Sequence, residues 1–118
     1  MDLGQTTDPE PDVIVVAGTP RSQPPTAPKT AVLVVEVADT SLAFDIGDKA
    51  SLYAAARIAD YWVVDLAHNR LYVFRDPRPE AGQRFGHGFF RQSLLGPADR
   101  ASPLAAPSAS ILVGDLLP

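Results

Sequence analysis

The chain has 118 residues, 46% of them hydrophobic and 20% charged, with a formal net charge of −4. That length builds one small domain around a single core, and the acidic balance argues mildly against a general nucleic-acid binder, which carries a basic face, without excluding an enzyme that touches phosphates locally. Cysteine is absent, which excludes disulfides and thiolate metal sites and leaves carboxylates, carbonyls or the two His residues as metal ligands, the oxygen donors suiting hard cations such as magnesium or manganese.

Residues 1–11 are polar and read as extended. Asp2, Gln5 and Thr6 follow Met1, with no basic or apolar signal region, so the expected compartment is the cytoplasm. No apolar run is long enough to cross a membrane. Val13 to Ala17 is a β-branched run opened by Pro11-Asp12 and reads as a strand. Residues 18–28 hold Pro20, Pro24, Pro25 and Pro28 and form a loop. Ala31 to Ala38 is the strongest strand, apolar on both faces like a covered central strand. After a connection over 39–45, Asp45 reads as the N-cap of one main helix running to about Ile58. Its expected buried face holds Leu52, Ala55, Ala56 and Ala59.

Tyr61 to Asp65 is the next strand, and Arg70 to Arg75 its antiparallel partner. The turn between them contains Asn69, the residue best able to take a left-handed conformation. All 12 prolines lie outside residues 29–76. Proline can neither donate to a sheet ladder nor continue a helix interior, so this window is the expected regular core. Residues 76–118 read as a Pro/Gly/Ala-rich extension, with a short strand near Phe89 to Ser93 and a strand or helical turn in Ile111 to Leu117. The strand–helix–strand unit implies a parallel pair. The expectation is therefore a single α/β (α+β) domain over 1–118, with a mixed sheet and a core of about 12–76.

One residue conflicts with this pattern. Side chains alternate along a strand, so Glu36 points where Val32 and Val34 point. Burying even a neutral polar group without a partner costs on the order of 2–7 kcal/mol, so a carboxylate there needs compensation. The candidates are Lys49 and Arg57 on the following helix, or a cation shared with another acid. Asp12 opens the preceding strand, and paired strands lie about 4.8 Å apart. Lys49 sits in the first helical turn and could reach back over the strand end. Two acids and a lysine at strand ends suit metal-dependent phosphodiester hydrolysis.

The segments Glu10-Pro11-Asp12-Val13-Ile14-Val15-Val16, Val34-Val35-Glu36-Val37-Ala38-Asp39-Thr40-Ser41, Asp45 to Lys49, Leu52-Tyr53-Ala54 and Asp60-Tyr61-Trp62-Val63-Val64-Asp65 together resemble the Uma-two family. These are endonucleases of the PD-(D/E)XK, restriction-endonuclease-like class. The resemblance is close from residue 9 to residue 75 and weaker over Leu95-Gly96-Pro97 and beyond. It implies a restriction-endonuclease-like mixed sheet and a magnesium- or manganese-dependent endonuclease acting on DNA. It implies Asp12 and Glu36 as metal ligands, the Val37 backbone carbonyl as a third, and Lys49 as the catalytic lysine. The usual lysine two residues after the glutamate is replaced by Ala38. Asp45 matches a recurrent acid that either caps or serves the site.

Only eleven residues precede Asp12, where family members carry a longer region with a first helix and hairpin. The resemblance therefore implies an N-terminally incomplete domain, with a bare sheet face that a homodimer would cover. The alternative is a catalytically inactive truncated module acting in dimerisation or nucleic-acid binding. Tyr53, Tyr61 and Trp62 read as core or interface aromatics. His68 reads as a polar turn residue and His87 as part of a flexible stretch. Arg75, Arg78, Arg84, Arg91 and Arg100 read as solvated surface charges or phosphate contacts.

Overall fold

The computed structural model describes residues 13–16 and 31–117, with 13–16 and Ala31 described by backbone pairing alone. Asp12 and the expected loop 18–28 lie outside the described residues. Five strands form the main sheet: β1 (Val13–Val16), β2 (Ala31–Ala38), β3 (Asp60–Asp65), β4 (Arg70–Pro79) and β5 (His87–Leu95), adjacent in that order. β2 and β3 run parallel, with Glu36 beside Val63. The other neighbours are antiparallel, and Val13 pairs with Val35. α1 (Leu42–Ile46) and α2 (Asp48–Ala55) connect β2 to β3. A small ribbon of β6 (Arg100–Ala101) and β7 (Ile111–Leu112) precedes a 3₁₀ turn at Val113–Leu116. No helix among the described residues is long and apolar enough to cross a membrane.

The β-branched runs of β2 and β3 form strands because apolar layers cover both sheet faces. On the helical face, Val34, Ala38, Tyr61, Val63, Phe74 and Phe89 pack against Ala50, Tyr53, Ala54 and Ile58. Tyr61 is the hub of the aromatic contacts, with ring centroids 4.9 Å from Tyr53, 5.6 Å from Phe74 and 5.9 Å from Phe89. On the other face, Leu33, Trp62, Val64, Leu71 and Val73 pack against Ala101 and Val113. Asp60, fully buried, ties that layer together. It accepts from Trp62 Nε1 at 2.7 Å, Arg75 Nε at 3.0 Å and the Leu104 backbone N–H at 2.9 Å.

The expected main helix is present but bent, divided at Gly47 into α1 and α2. A Cβ there would stand 2.8 Å from the Ala43 carbonyl oxygen, a contact only glycine avoids. The buried face also differs: Ala50, Tyr53, Ala54 and Ile58 are buried against the sheet, while Leu52, Ala55 and Ala56 are half-buried and Ala59 is exposed. The core does not stop near residue 76, because β5, Ala101 and Val113 complete it. β4 passes through Pro77 and Pro79 because β3 pairs only as far as Arg75. Beyond that point one edge of β4 is free, and a missing N–H there breaks no ladder. Asn69 takes the left-handed conformation at φ 54°, as its sequence position predicts.

Candidate active site

β2 delivers Glu36 to the helical face between Val34 and Ala38, where it is 3% exposed. α2 begins at Asp48, which puts Lys49 in its first turn and Tyr53 one turn later on the same side. Both reach Glu36. Tyr53 Oη donates to Glu36 Oε2 at 3.0 Å, and Lys49 Nζ lies 3.2 Å from the same oxygen. Lys49, not Arg57, is thus the partner of Glu36. Lys49 Nζ also lies 3.1 Å from Asp45 Oδ1, four residues back and across the helix break.

Asp45 is not the N-cap of the main helix. It sits inside α1 and is 1% exposed. Ser41 occupies the N-cap position, but its hydroxyl donates to Asp45 Oδ2 at 2.7 Å instead of capping the backbone. Tyr61 Oη donates to the Asp45 carbonyl at 2.8 Å and fixes α1 onto the sheet. Asp45 Oδ1 receives no hydrogen bond. Its 3.1 Å approach to Lys49 is an ion-pair distance without hydrogen-bond alignment.

Burial dominates the electrostatics. Loss of water raises the Glu36 carboxyl from 4.5 to about 6, against the opposing pull of Lys49 and the Tyr53 hydroxyl. Two acids share one ammonium, so Glu36, Asp45 and Lys49 sum to one negative charge. Tyr53 Oη and Lys49 Nζ both meet Glu36 at Oε2. Hard carboxylate oxygens line the cluster, and one of them, Asp45 Oδ1, is buried without a hydrogen bond. That set fits a magnesium-class cation. Among the described residues no group of three or more His, Cys, Asp or Glu converges to hold a metal ion, and Glu36 and Asp45 meet through Lys49. Val37 follows Glu36 in β2, with its side chain 44% exposed. Asp12 lies outside the described residues, although Val13, which follows it in the chain, pairs with Val35.

Sequence reasoning missed some site residues. Tyr53 reads as a core aromatic, yet its hydroxyl holds the site glutamate. Its spacing of four from Lys49 was the available signal, because it places both on one helix face. Ser41 gave no signal beyond proximity. His68 is more than a polar turn residue. Its Nδ1 lies 2.9 Å from Oδ2 of buried Asp65, which also accepts from Arg70 Nε at 2.9 Å. His87 uses its backbone carbonyl, which accepts from Ser51 Oγ at 2.7 Å.

The mixed sheet, with a carboxylate and a lysine meeting at the crossover helix, is an α+β fold consistent with a restriction-endonuclease-like protein. The profile of the Uma2 family, described as "Putative restriction endonuclease", matches residues 1–96, and the chain belongs to that family. Comparison with curated proteins gives no match, and comparison with solved structures gives none.

Proposed function

We propose that this protein is a divalent-metal-dependent endonuclease that hydrolyses phosphodiester bonds in DNA. The observation that carries the reading is the buried Glu36–Lys49 pair, 3.2 Å apart on the helical face of β2. A charge pair shut from water is a poor stabilising device, because desolvation offsets most of the attraction. In a family of nuclease type, a catalytic use accounts for its presence.

In this reading Asp12, Glu36 and the Val37 backbone carbonyl hold the cation, magnesium or manganese. Bound there, the ion would lower the pKa of water and neutralise phosphate charge. Glu36 offers Oε1 to it, while Tyr53 and Lys49 hold Oε2 and fix the carboxylate's orientation. Lys49 places an ammonium where charge develops on the phosphate. The Phe44 ring, 51% exposed, lies 5.3 Å from Lys49 Nζ, on the side of the buried pair nearest to solvent-exposed surface. A homodimer in the cytoplasm is the proposed setting.

A second reading is a module that keeps the fold but acts in dimerisation or nucleic-acid binding without cleavage. The lack of a three-acid metal cluster among the described residues and the net charge of −4 favour it over a nuclease. Magnesium-dependent cleavage of plasmid DNA, run beside Glu36→Ala, separates the two. Cleavage by the parent and loss in the variant supports the nuclease. Equal activity in both, or none in either, refutes it.

A further inference from the structure

Lys49 Nζ sits between two carboxylates, 3.2 Å from Glu36 Oε2 and 3.1 Å from Asp45 Oδ1. The side chains of Lys49, Glu36 and Asp45 are only 7%, 4% and 2% exposed. Two features separate this from a simple helix staple. The single ammonium leaves one negative charge uncompensated within the buried trio. The Asp45 carboxylate is also used asymmetrically: Oδ2 takes the Ser41 hydroxyl, while Oδ1 is buried and receives no hydrogen bond. Its one recorded neighbour is the Lys49 ammonium, 3.1 Å away and off hydrogen-bond alignment, which compensates the oxygen less fully than an aligned donor would. A divalent cation would satisfy that oxygen and remove the excess charge.

We infer that Asp45 Oδ1 is a ligand of the divalent cation, and that Lys49 is an internal counter-ion which holds Glu36 and Asp45 together until the cation displaces its ammonium from Asp45. This rests on the metal-site reading above and adds a ligand and an order of events to it. Magnesium takes oxygens at about 2.0–2.1 Å. An ammonium directly against Asp45 Oδ1 therefore competes with such an ion for the same space. The two cations also repel, by about 4 kcal/mol at 4 Å in a protein-like dielectric. Phe44 gives the displaced ammonium somewhere to go, because its half-exposed ring already lies 5.3 Å from Nζ. Lys49 keeps its contact with Glu36 Oε2 throughout.

The test is calorimetric titration of manganese chloride into the full chain at about pH 7.5, with the manganese-induced rise in melting temperature as a second readout. Asp45→Asn is expected to weaken manganese binding about tenfold or more. Lys49→Met is expected to tighten it about tenfold and to enlarge the manganese-induced rise. Lys49→Gln gives the same comparison if Lys49→Met does not fold. A structural staple would change metal-free stability in both variants without moving affinity in opposite directions. Asp45→Asn binding like the parent, or a Lys49 variant binding no tighter, overturns the inference and leaves the metal site standing. A parent chain that binds no manganese overturns both.

Discussion

Replacing Glu36 by glutamine keeps the side-chain shape and removes the charge. In the folded chain burial raises the Glu36 carboxyl to about 6, from an ordinary value of 4.5, with Lys49 and Tyr53 only partly opposing it. Between those pH values the folded state holds the proton more tightly than the unfolded state. Stability from this group is therefore greatest below pH 4.5 and falls as pH rises through 6. The difference, 6 − 4.5, is 1.5 units. At about 1.36 kcal/mol per unit, the ionised carboxylate destabilises the metal-free fold by about 2 kcal/mol. Glu36→Gln should thus be about 2 kcal/mol more stable than the parent at neutral pH in EDTA, with a melting temperature roughly 5–10 °C higher. Urea unfolding of both chains across the acid-to-neutral range measures the difference. It should be full above pH 7 and vanish toward pH 4.5. A variant no more stable than the parent at pH 7.5, or a difference that does not change with pH, would refute the reasoning.

Asp65 provides the opposite case. Burial pushes its carboxyl up, but hydrogen bonds from Arg70 and His68 outweigh burial and hold it below 3.8. Its stabilisation is present above that value and is lost as pH falls below it. Asp65→Asn should destabilise the neutral protein by about 2 kcal/mol, and unfolding curves should show the deficit shrinking in acid. Asp60→Ala removes the shared partner of Trp62, Arg75 and the Leu104 N–H, so a loss of about 3–5 kcal/mol is expected. The protein has one tryptophan, and its fluorescence reports the change directly. Gly47→Ala forces a Cβ against the Ala43 carbonyl and should cost about 1–3 kcal/mol. Thermal unfolding checks this, and a melting temperature equal to the parent's would show that the helix break tolerates a side chain.

Strands were legible where burial alone decides them. Ala31–Ala38 has the expected bounds, and β3 begins one residue before its expected start at Tyr61. Both are buried on two faces, so an apolar run suffices to reveal them. The helix was legible only as a helix. Its break at Gly47 depends on a close approach to Ala43, which no periodicity encodes. The expected buried face and the expected cap at Asp45 differ from the structure as well. β5 extends two residues beyond the expected Phe89 to Ser93 at each end, because His87 and Gly88 sit in a glycine-rich stretch that reads as loop and Leu94 is exposed on an edge strand. In the site, Glu36 was legible as a charge in an apolar run, and Lys49 as its partner by reach. The roles of Tyr53 and Ser41 were not, because each depends on where one hydroxyl ends up.

The family match ends at residue 96, but the folded unit does not. Ala101 and Val113 cover Leu33, Trp62 and Leu71, and Leu116 and Leu117 pack at the same layer. The Ser102 carbonyl and the Leu104 N–H complete the polar network of Arg75 and Asp60. A chain ended at residue 96 would retain Glu36, Asp45 and Lys49 yet leave the back of the sheet open to water. For expression and crystallisation the useful C-terminal boundary is therefore set by the back-face layer, some twenty residues beyond where family likeness stops.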